Sequence, residues 1–342
     1  MVVLHAGARL LLGLLPVLIF LVALILLDSY KLVRPRRVLV LLAIGGFLAV
    51  VSLTINRVLG GALGLDRVEI ARYLAPTVEE ALKGIPVLLL LVRRRIAFLV
   101  DAAIAGFAVG AGFAAAENLQ YFVMLGPSSL LLWAVRGFGT ALMHGSVTAI
   151  LSIITKLLAD YRGGSRWWTA LPGLALAITV HSLFNHFFLS PNASTVLLLV
   201  VIPLFFIGVF HLSELRTRDW LGAGFDSDQE LLELVHLGTM ASSRIGAYLG
   251  ELKDRFSPTV VADMLCLLRL RLELSIQAKG ILLMRGAGFP VATDPEVAAK
   301  FEELRYLEHS IGPTGLLAMA PFFHFSDRDL WQFHMLADGR GR

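Results

Sequence analysis

Seven stretches among the first 213 residues are apolar over lengths that match a lipid bilayer: 10–27, 38–55, 73–92, 98–125, 130–158, 168–189 and 196–212. About twenty apolar residues at the helical rise of 1.5 Å cross the hydrocarbon core. Inside lipid each segment must satisfy its own backbone hydrogen bonds, which a helix does. These runs therefore predict an all-α fold, a polytopic membrane bundle of about seven transmembrane helices. A charged fraction of only 16% supports this, because a soluble domain carries about a quarter. The first run lacks a small-residue cleavage pattern before Asp28 and is long for a signal-peptide core, so it reads as a retained span.

Charge divides the chain in two. Residues 1–213 carry 16 Lys+Arg against 8 Asp+Glu, whereas residues 214–342 carry 14 against 18. The basic surplus lies in short loops between apolar runs, where it sets topology rather than binding nucleic acid. The first loop holds Lys31, Arg34, Arg36 and Arg37, the third Arg93, Arg94 and Arg95, and the fifth Lys156, Arg162 and Arg166. The fourth and sixth loops hold none, and the second is mixed. By the positive-inside rule the odd loops are cytoplasmic, with the N-terminus outside and the C-terminal segment inside. The expected organisation is a transmembrane domain over 1–213 and a cytoplasmic helical domain over 214–342.

Several spans carry side chains that lipid disfavours. The third holds Glu79, Glu80 and Lys83; the fourth holds Glu117 and Asn118, with Tyr121 one turn on; the fifth holds Arg136 and His144; the sixth holds His181, Asn185 and His186. A charge at mid-bilayer costs roughly 2.5–3.5 kcal/mol even on a lenient scale, so such residues are functional by default. Counted from the outer ends, Glu79 and Glu80 lie roughly 9–11 Å deep, Glu117 and His181 roughly 12 Å and Asn185 roughly 6 Å, whereas His144 lies roughly 21 Å deep. Three spans thus bring polar groups to one level, and His144 reaches towards them from nearer the middle.

Helical phase narrows the roles. Glu79 and Lys83, Glu117 and Tyr121, and His181 and Asn185 are each four apart and share a face. Glu79 and Glu80 differ by about 100° around the helix. They cannot both address one atom, so one is free to activate water while its neighbour pairs with Lys83 or a backbone group. A carboxylate in that setting suits general-base and then general-acid work. The bland alternatives are a structural Glu79–Lys83 pair, a snorkelling Arg136 near the outer surface, an Asp101 paired with Arg93–Arg95, and a His186 that faces away. Ala102, Gly106, Gly110 and Ala114, spaced by four, let a neighbouring helix approach the fourth span closely.

Four of these patterns resemble the PrsW family of intramembrane proteases, related to the CAAX-processing and bacteriocin-immunity group. They are Glu79-Glu80-Ala-Leu-Lys83, Phe113 to Glu117 with Asn118 and Tyr121, His144, and His181-Ser-Leu-Phe-Asn185. The resemblance covers about residues 70–190, and Gly312-Pro-Thr-Gly315 is similar to the C-terminal extension of some bacterial members. It implies an endopeptidase in the bacterial inner membrane that hydrolyses a peptide bond in a single-pass or membrane-anchored protein, such as an anti-sigma factor. A glutamate of the 79/80 pair would activate water, His144 or His181 would orient it or donate a proton, and Asn185 would stabilise the oxyanion. A zinc ion on Glu117, His144 and His181 is the other chemistry left open, although there is no His-Glu-x-x-His helix.

The rest of the chain adds no catalytic pattern. Helices are expected over 229–256, 258–285 and 294–310, the last opened by Asp294 as N-cap with Pro295 first in the helix, and 286–293 is a loop. Cys266, the single cysteine, rules out an internal disulfide framework and is expected to be buried. Two other classes use the same polar residues: a proton-coupled transporter, which would favour repeated halves with broken helices, and a non-catalytic scaffold that binds transmembrane helices.

Overall fold

A computed structural model of the chain describes residues 2–162, 167–236, 244–289, 291, 294–322 and 327–338. Arg166 lies outside the described residues, as do 237–243 of the expected 229–256 helix and 290, 292 and 293 of the expected loop. All the described regular structure is helical. Helix α1 (Val2–Leu27) is followed by α2 (Pro35–Leu63). A short α3 (Arg67–Glu69) then continues through a π turn (Ile70–Leu74) into α4 (Ala75–Val92). After α5 (Leu99–Leu125), α6 (Leu130–Val135) continues through a second π turn (Arg136–Thr140) into α7 (Ala141–Tyr161). Helices α8 (Leu171–Asn185) and α9 (Pro191–His236) come next, then α10 (Arg244–Leu252), α11 (Pro258–Gly286), α12 (Glu296–Met319) and α13 (Asp327–Asp338).

Among the described residues, six segments are long and apolar enough to cross a membrane: His5–Leu27, Pro35–Leu63, Leu99–Leu125, Leu130–Tyr161, Trp167–Asn185 and Pro191–His236. The expected span over 73–92 is also helical, but its three ionisable side chains set it apart from these six. Two of the three, Glu80 and Lys83, are completely buried. The protein itself supplies their surroundings.

Local chemistry marks the boundaries. Pro35 opens α2, and Gly64 closes it in the left-handed region at φ 68°. Asp66 then accepts from the backbone N–H of Val68 and Glu69, while Glu69 accepts from the Asp66 N–H, a capping box that restarts the helix. Between α1 and α2, Asp28 accepts from the backbone N–H groups of Leu32 and Val33 at 2.6 and 3.2 Å. Burial holds its carboxyl above the ordinary value, against the pull of those hydrogen bonds. Asp101, expected to pair with Arg93–Arg95, accepts instead from the backbone N–H of Ala97 and Phe98 and so caps its own helix. An acceptor in the first turn satisfies donors that the helix leaves open.

The chain separates into two compact units, Met1–Glu214 and Leu215–Arg342. In the first, α5 is the central helix, buried at every position from 99 to 114. It packs against α7 on one side and α2 on another, and α4 packs against α2, α7 and α8. The small residues of α5 explain how closely. A Cβ on Gly110 would overlap the backbone carbonyl of His144 in α7, and one on Gly112 would overlap that of Leu42 in α2. Glycine at these positions lets three backbones meet almost directly.

The second unit is organised around α11, which buries Val261, Met264, Leu267, Leu268 and Leu274. Cys266 is exposed, contrary to expectation. It lies with Ala262 and Arg269 on the outward face of α11, at i−4 and i+3, while the inward stripe runs through Met264 and Leu267. Two helices meet end to end in α12: the first breaks at Gly312, with φ 70° and ψ 172° before Pro313, within two residues of the expected end at 310. Asp294 accepts from the Glu296 N–H at 2.9 Å and starts that helix.

Candidate active site

The polar residues of α4, α5, α7 and α8 meet inside the first unit. Glu80 sits at the centre: its Oε1 accepts from Lys83 Nζ at 2.5 Å and from His181 Nδ1 at 2.7 Å. Lys83 Nζ also lies 3.1 Å from His144 Nδ1 and over the ring of Phe113, 4.7 Å from its centroid. On its other side His144 Nε2 lies 3.0 Å from Glu117 Oε2. The two imidazoles meet edge to face with centroids 4.8 Å apart. Glu80, Lys83, His144 and His181 are all buried, so each charge is balanced by a specific partner rather than by water.

These contacts assign protons. An ammonium on Lys83 donates to His144 Nδ1, which leaves the His144 proton on Nε2, the nitrogen 3.0 Å from Glu117 Oε2. Likewise His181 donates from Nδ1 to Glu80, so Nε2 is its nitrogen turned away from that carboxylate. The second oxygen of Glu80, Oε2, is buried with no hydrogen-bond partner among the described residues.

The ion pair differs from the Glu79–Lys83 pair considered from phase alone. Lys83 takes Glu80, one turn back at i−3, and leaves Glu79 outside the pair. Among the described residues Glu79 accepts only a long hydrogen bond, 3.4 Å, from Asn56 Nδ2 on α2. Its carboxylate, His144 and His181 offer ligand atoms that all lie within 4.8 Å of one another. Glu79 is thus a carboxylate grouped with both histidines, and Glu117, the expected partner, lies 3.0 Å from His144 Nε2.

That group fits a divalent cation. One carboxylate oxygen and two imidazole nitrogens are ligands of catalytic zinc, which leave a fourth position open. At bond lengths of about 2.0–2.2 Å the donors would need to draw together by about 1 Å. The hydrogen bond from His181 Nδ1 to Glu80 is the carboxylate–histidine support common behind such ligands. His144, engaged on both nitrogens, would have to exchange one contact.

Other expected residues take supporting places. Asn118, buried, donates from Nδ2 to the Gly13 carbonyl of α1 at 2.7 Å and accepts from Arg136 Nε at 2.9 Å. The Tyr121 ring lies under the Arg136 guanidinium, 3.7 Å from centroid to Cζ. Asn185 Nδ2 donates to the Ala71 carbonyl at 2.8 Å, and Ser182 Oγ to that of Arg72 at 2.6 Å. Both bonds fasten the end of α8 to the π turn that precedes α4. His186, expected to face away, lies 3.2 Å from the Tyr73 hydroxyl and stacks on Phe188.

One residue goes unnoticed in the sequence and another is expected elsewhere. Asn56 stands in an otherwise apolar run of α2, and its amide was the available signal. Arg136 was assigned to the outer surface, yet its side chain is only 12% exposed and points inward, 3.5 Å from Glu117 Oε1. His144 is another departure: the depth count put it below the other polar groups, and the structure puts it between them. That count takes the outer ends of all spans as one level; the π turn at Arg136–Thr140 shifts depth by only about 1.5 Å. Such turns carry an extra residue and are frequent at functional sites. The same device, Ile70–Leu74, precedes the helix that bears Glu79 and Glu80.

Bundle and cluster together define a polytopic membrane protein with an acid–base centre enclosed by its own helices. The model of the PrsW family intramembrane metalloproteases matches residues 34–210, just over half of the chain and all of the helices that build this centre. The chain belongs to that family and is an intramembrane protease. Among curated proteins and among solved structures no match to the chain is found.

Proposed function

We propose that Glu79, His144 and His181 form the hydrolytic centre, which cleaves a peptide bond in a single-pass or membrane-anchored protein such as an anti-sigma factor. The observation that carries this reading is the convergence of these three residues, from three helices, within 4.8 Å inside the bundle. Glu79 is the carboxylate least committed to partners, so it accepts the proton as water attacks the scissile carbonyl. Glu80 and Lys83 hold the two imidazoles in fixed tautomers, and Glu117 receives the His144 proton on the far side. Asn185, bonded to Ala71, fixes the turn from which α4 departs, a different role from the oxyanion contact expected of it.

A zinc ion bound by Glu79, His144 and His181 would polarise the carbonyl and ease the deprotonation of water. With Glu79 so engaged, Glu117 is the remaining carboxylate able to take a proton beside His144. The N-terminus lies outside a bacterial cytoplasmic membrane in this proposal, with residues 214–342 as a cytoplasmic domain, a reading supported by the basic odd loops.

The test uses the purified full chain in liposomes with a single-pass reporter, the products being read by mass spectrometry with and without a zinc chelator. Cleavage within or beside the apolar segment is expected. Loss on chelation that zinc restores assigns the metal chemistry, and activity that survives chelation assigns glutamate alone. A reporter left intact by folded protein overturns the proposal.

A further inference from the structure

Arg136 is the charged residue at this site that the reaction as proposed leaves unused. Its guanidinium makes one hydrogen bond, one looser ion-pair contact and one ring contact, all with one stretch of α5. Nε donates to Asn118 Oδ1 at 2.9 Å, Nη2 lies 3.5 Å from Glu117 Oε1, and the planar face covers Tyr121 at 3.7 Å. Asn118 is itself anchored to the Gly13 carbonyl of α1. The fork is therefore braced at its base and stacked on its face. Glu117 also faces His144, whose Nε2 lies 3.0 Å from Oε2. Each carboxylate oxygen thus meets one partner, Arg136 on Oε1 and His144 on Oε2.

The placement in the chain reinforces this. Arg136 is the first residue of the π turn that leads into α7, and His144 lies two turns further along the same segment. Arg136 and His144 therefore grip the two oxygens of one carboxylate from one helical segment. A planar guanidinium with fixed donors orients a carboxylate in a way that a freely rotating ammonium does not. We propose that Arg136 is a positioning residue, which holds the Glu117 carboxylate against Nε2 of His144 and so fixes the orientation of that imidazole in the cluster. The proposal deepens the proteolytic reading above but does not need turnover to be tested.

The experiment compares wild type, Arg136→Ala, Glu117→Gln and the double variant as full-length protein labelled with 15N-histidine. The His144 ring nitrogens are assigned by their loss in His144→Asn. Arg136→Ala is expected to move the His144 Nε2 resonance in the same sense as Glu117→Gln, with no further movement in the double variant. Arg136→Lys, which keeps charge without the fork, is expected to fall between wild type and Arg136→Ala. With the reporter, Arg136→Ala should lower kcat about 10–100-fold at unchanged KM, as loss of an outer partner of a site residue typically does. If Arg136→Ala does not fold, Arg136→Gln serves in its place, since its amide still reaches Asn118. A His144 resonance unmoved by the loss of Arg136, or shifts that add in the double variant, overturns the proposal. So does a raised KM at wild-type kcat, which would place Arg136 on the substrate. Absent turnover in every protein, wild type included, would defeat the proteolytic reading and leave the resonance test intact.

Discussion

Replacing Gly110 with alanine probes the geometry of the site without touching any of its polar groups. Gly110 lies where α5 crosses the start of α7. A Cβ there overlaps the His144 carbonyl oxygen and comes within 2.8 Å of both His144 C and Gly145 Cα. Non-bonded carbons rest about 3.5–4.0 Å apart. The obstruction is backbone, which cannot rotate away, so α5 and α7 must part by about 1 Å at this point. Overpacking of this kind costs typically about 1–3 kcal/mol. The larger effect falls on the site, because the displaced backbone is that of His144 itself. A misplacement of about 1 Å lowers a rate by about 100-fold. The assay is reporter cleavage in liposomes beside thermal unfolding in detergent. Gly61→Ala is the control, since nothing lies within 4 Å of a Cβ at that position of α2. The expected result is a folded Gly110→Ala protein with a lowered Tm and about 100-fold slower cleavage, and a Gly61→Ala protein like wild type. Wild-type cleavage and stability in Gly110→Ala would refute the packing argument and with it the placement of His144.

Three further outcomes follow from the structure. Asn56→Leu removes the one hydrogen bond to Glu79 and is expected to slow cleavage about 10–100-fold, with Tm maintained because the amide is replaced by an apolar side chain; an unchanged rate would detach α2 from the site. Cys266, exposed and the single cysteine, should react with a maleimide in the native protein as fast as in the detergent-unfolded one, and protection until unfolding would show that the outward face of α11 is covered. Asp28 has a folded-state pKa raised by burial above its ordinary 3.8, so the folded state holds that proton more tightly. Its contribution to stability is then greatest below the ordinary value and is lost as pH rises through the folded value. Asp28→Asn should therefore flatten the fall in Tm over that acidic range, and an identical slope in variant and wild type would contradict the assignment.

How much of this could be read from the chain differs by element. Span lengths and intramembrane polar residues were legible because lipid punishes exceptions to both. The glutamates of α4, Glu117 and the two histidines were found in this way. Partner choice was less legible. Phase allowed Lys83 to reach Glu79 at i+4, and the structure pairs it with Glu80 at i+3, a choice made by where His144 and His181 approach. Depth failed for His144 because the count takes the outer ends of all spans as one level; the π turn at Arg136–Thr140 accounts for only about 1.5 Å of the difference. Arg136 was misplaced for a related reason: snorkelling is the default for an arginine near a span end, and only the tertiary fold brings Glu117 and Asn118 to it. Cys266 shows the limit of apolar context. Its neighbours are apolar, but the buried stripe of α11 passes through other positions.

The central claim is that Glu79, freed of Lys83 and grouped with His144 and His181, is the carboxylate on which hydrolysis depends. Single-turnover cleavage of a transmembrane reporter by Glu79→Gln in liposomes tests it most directly, with unfolding temperature as the check on the fold. The account predicts a folded protein with no detectable product. Product formed by Glu79→Gln at the wild-type rate would contradict it.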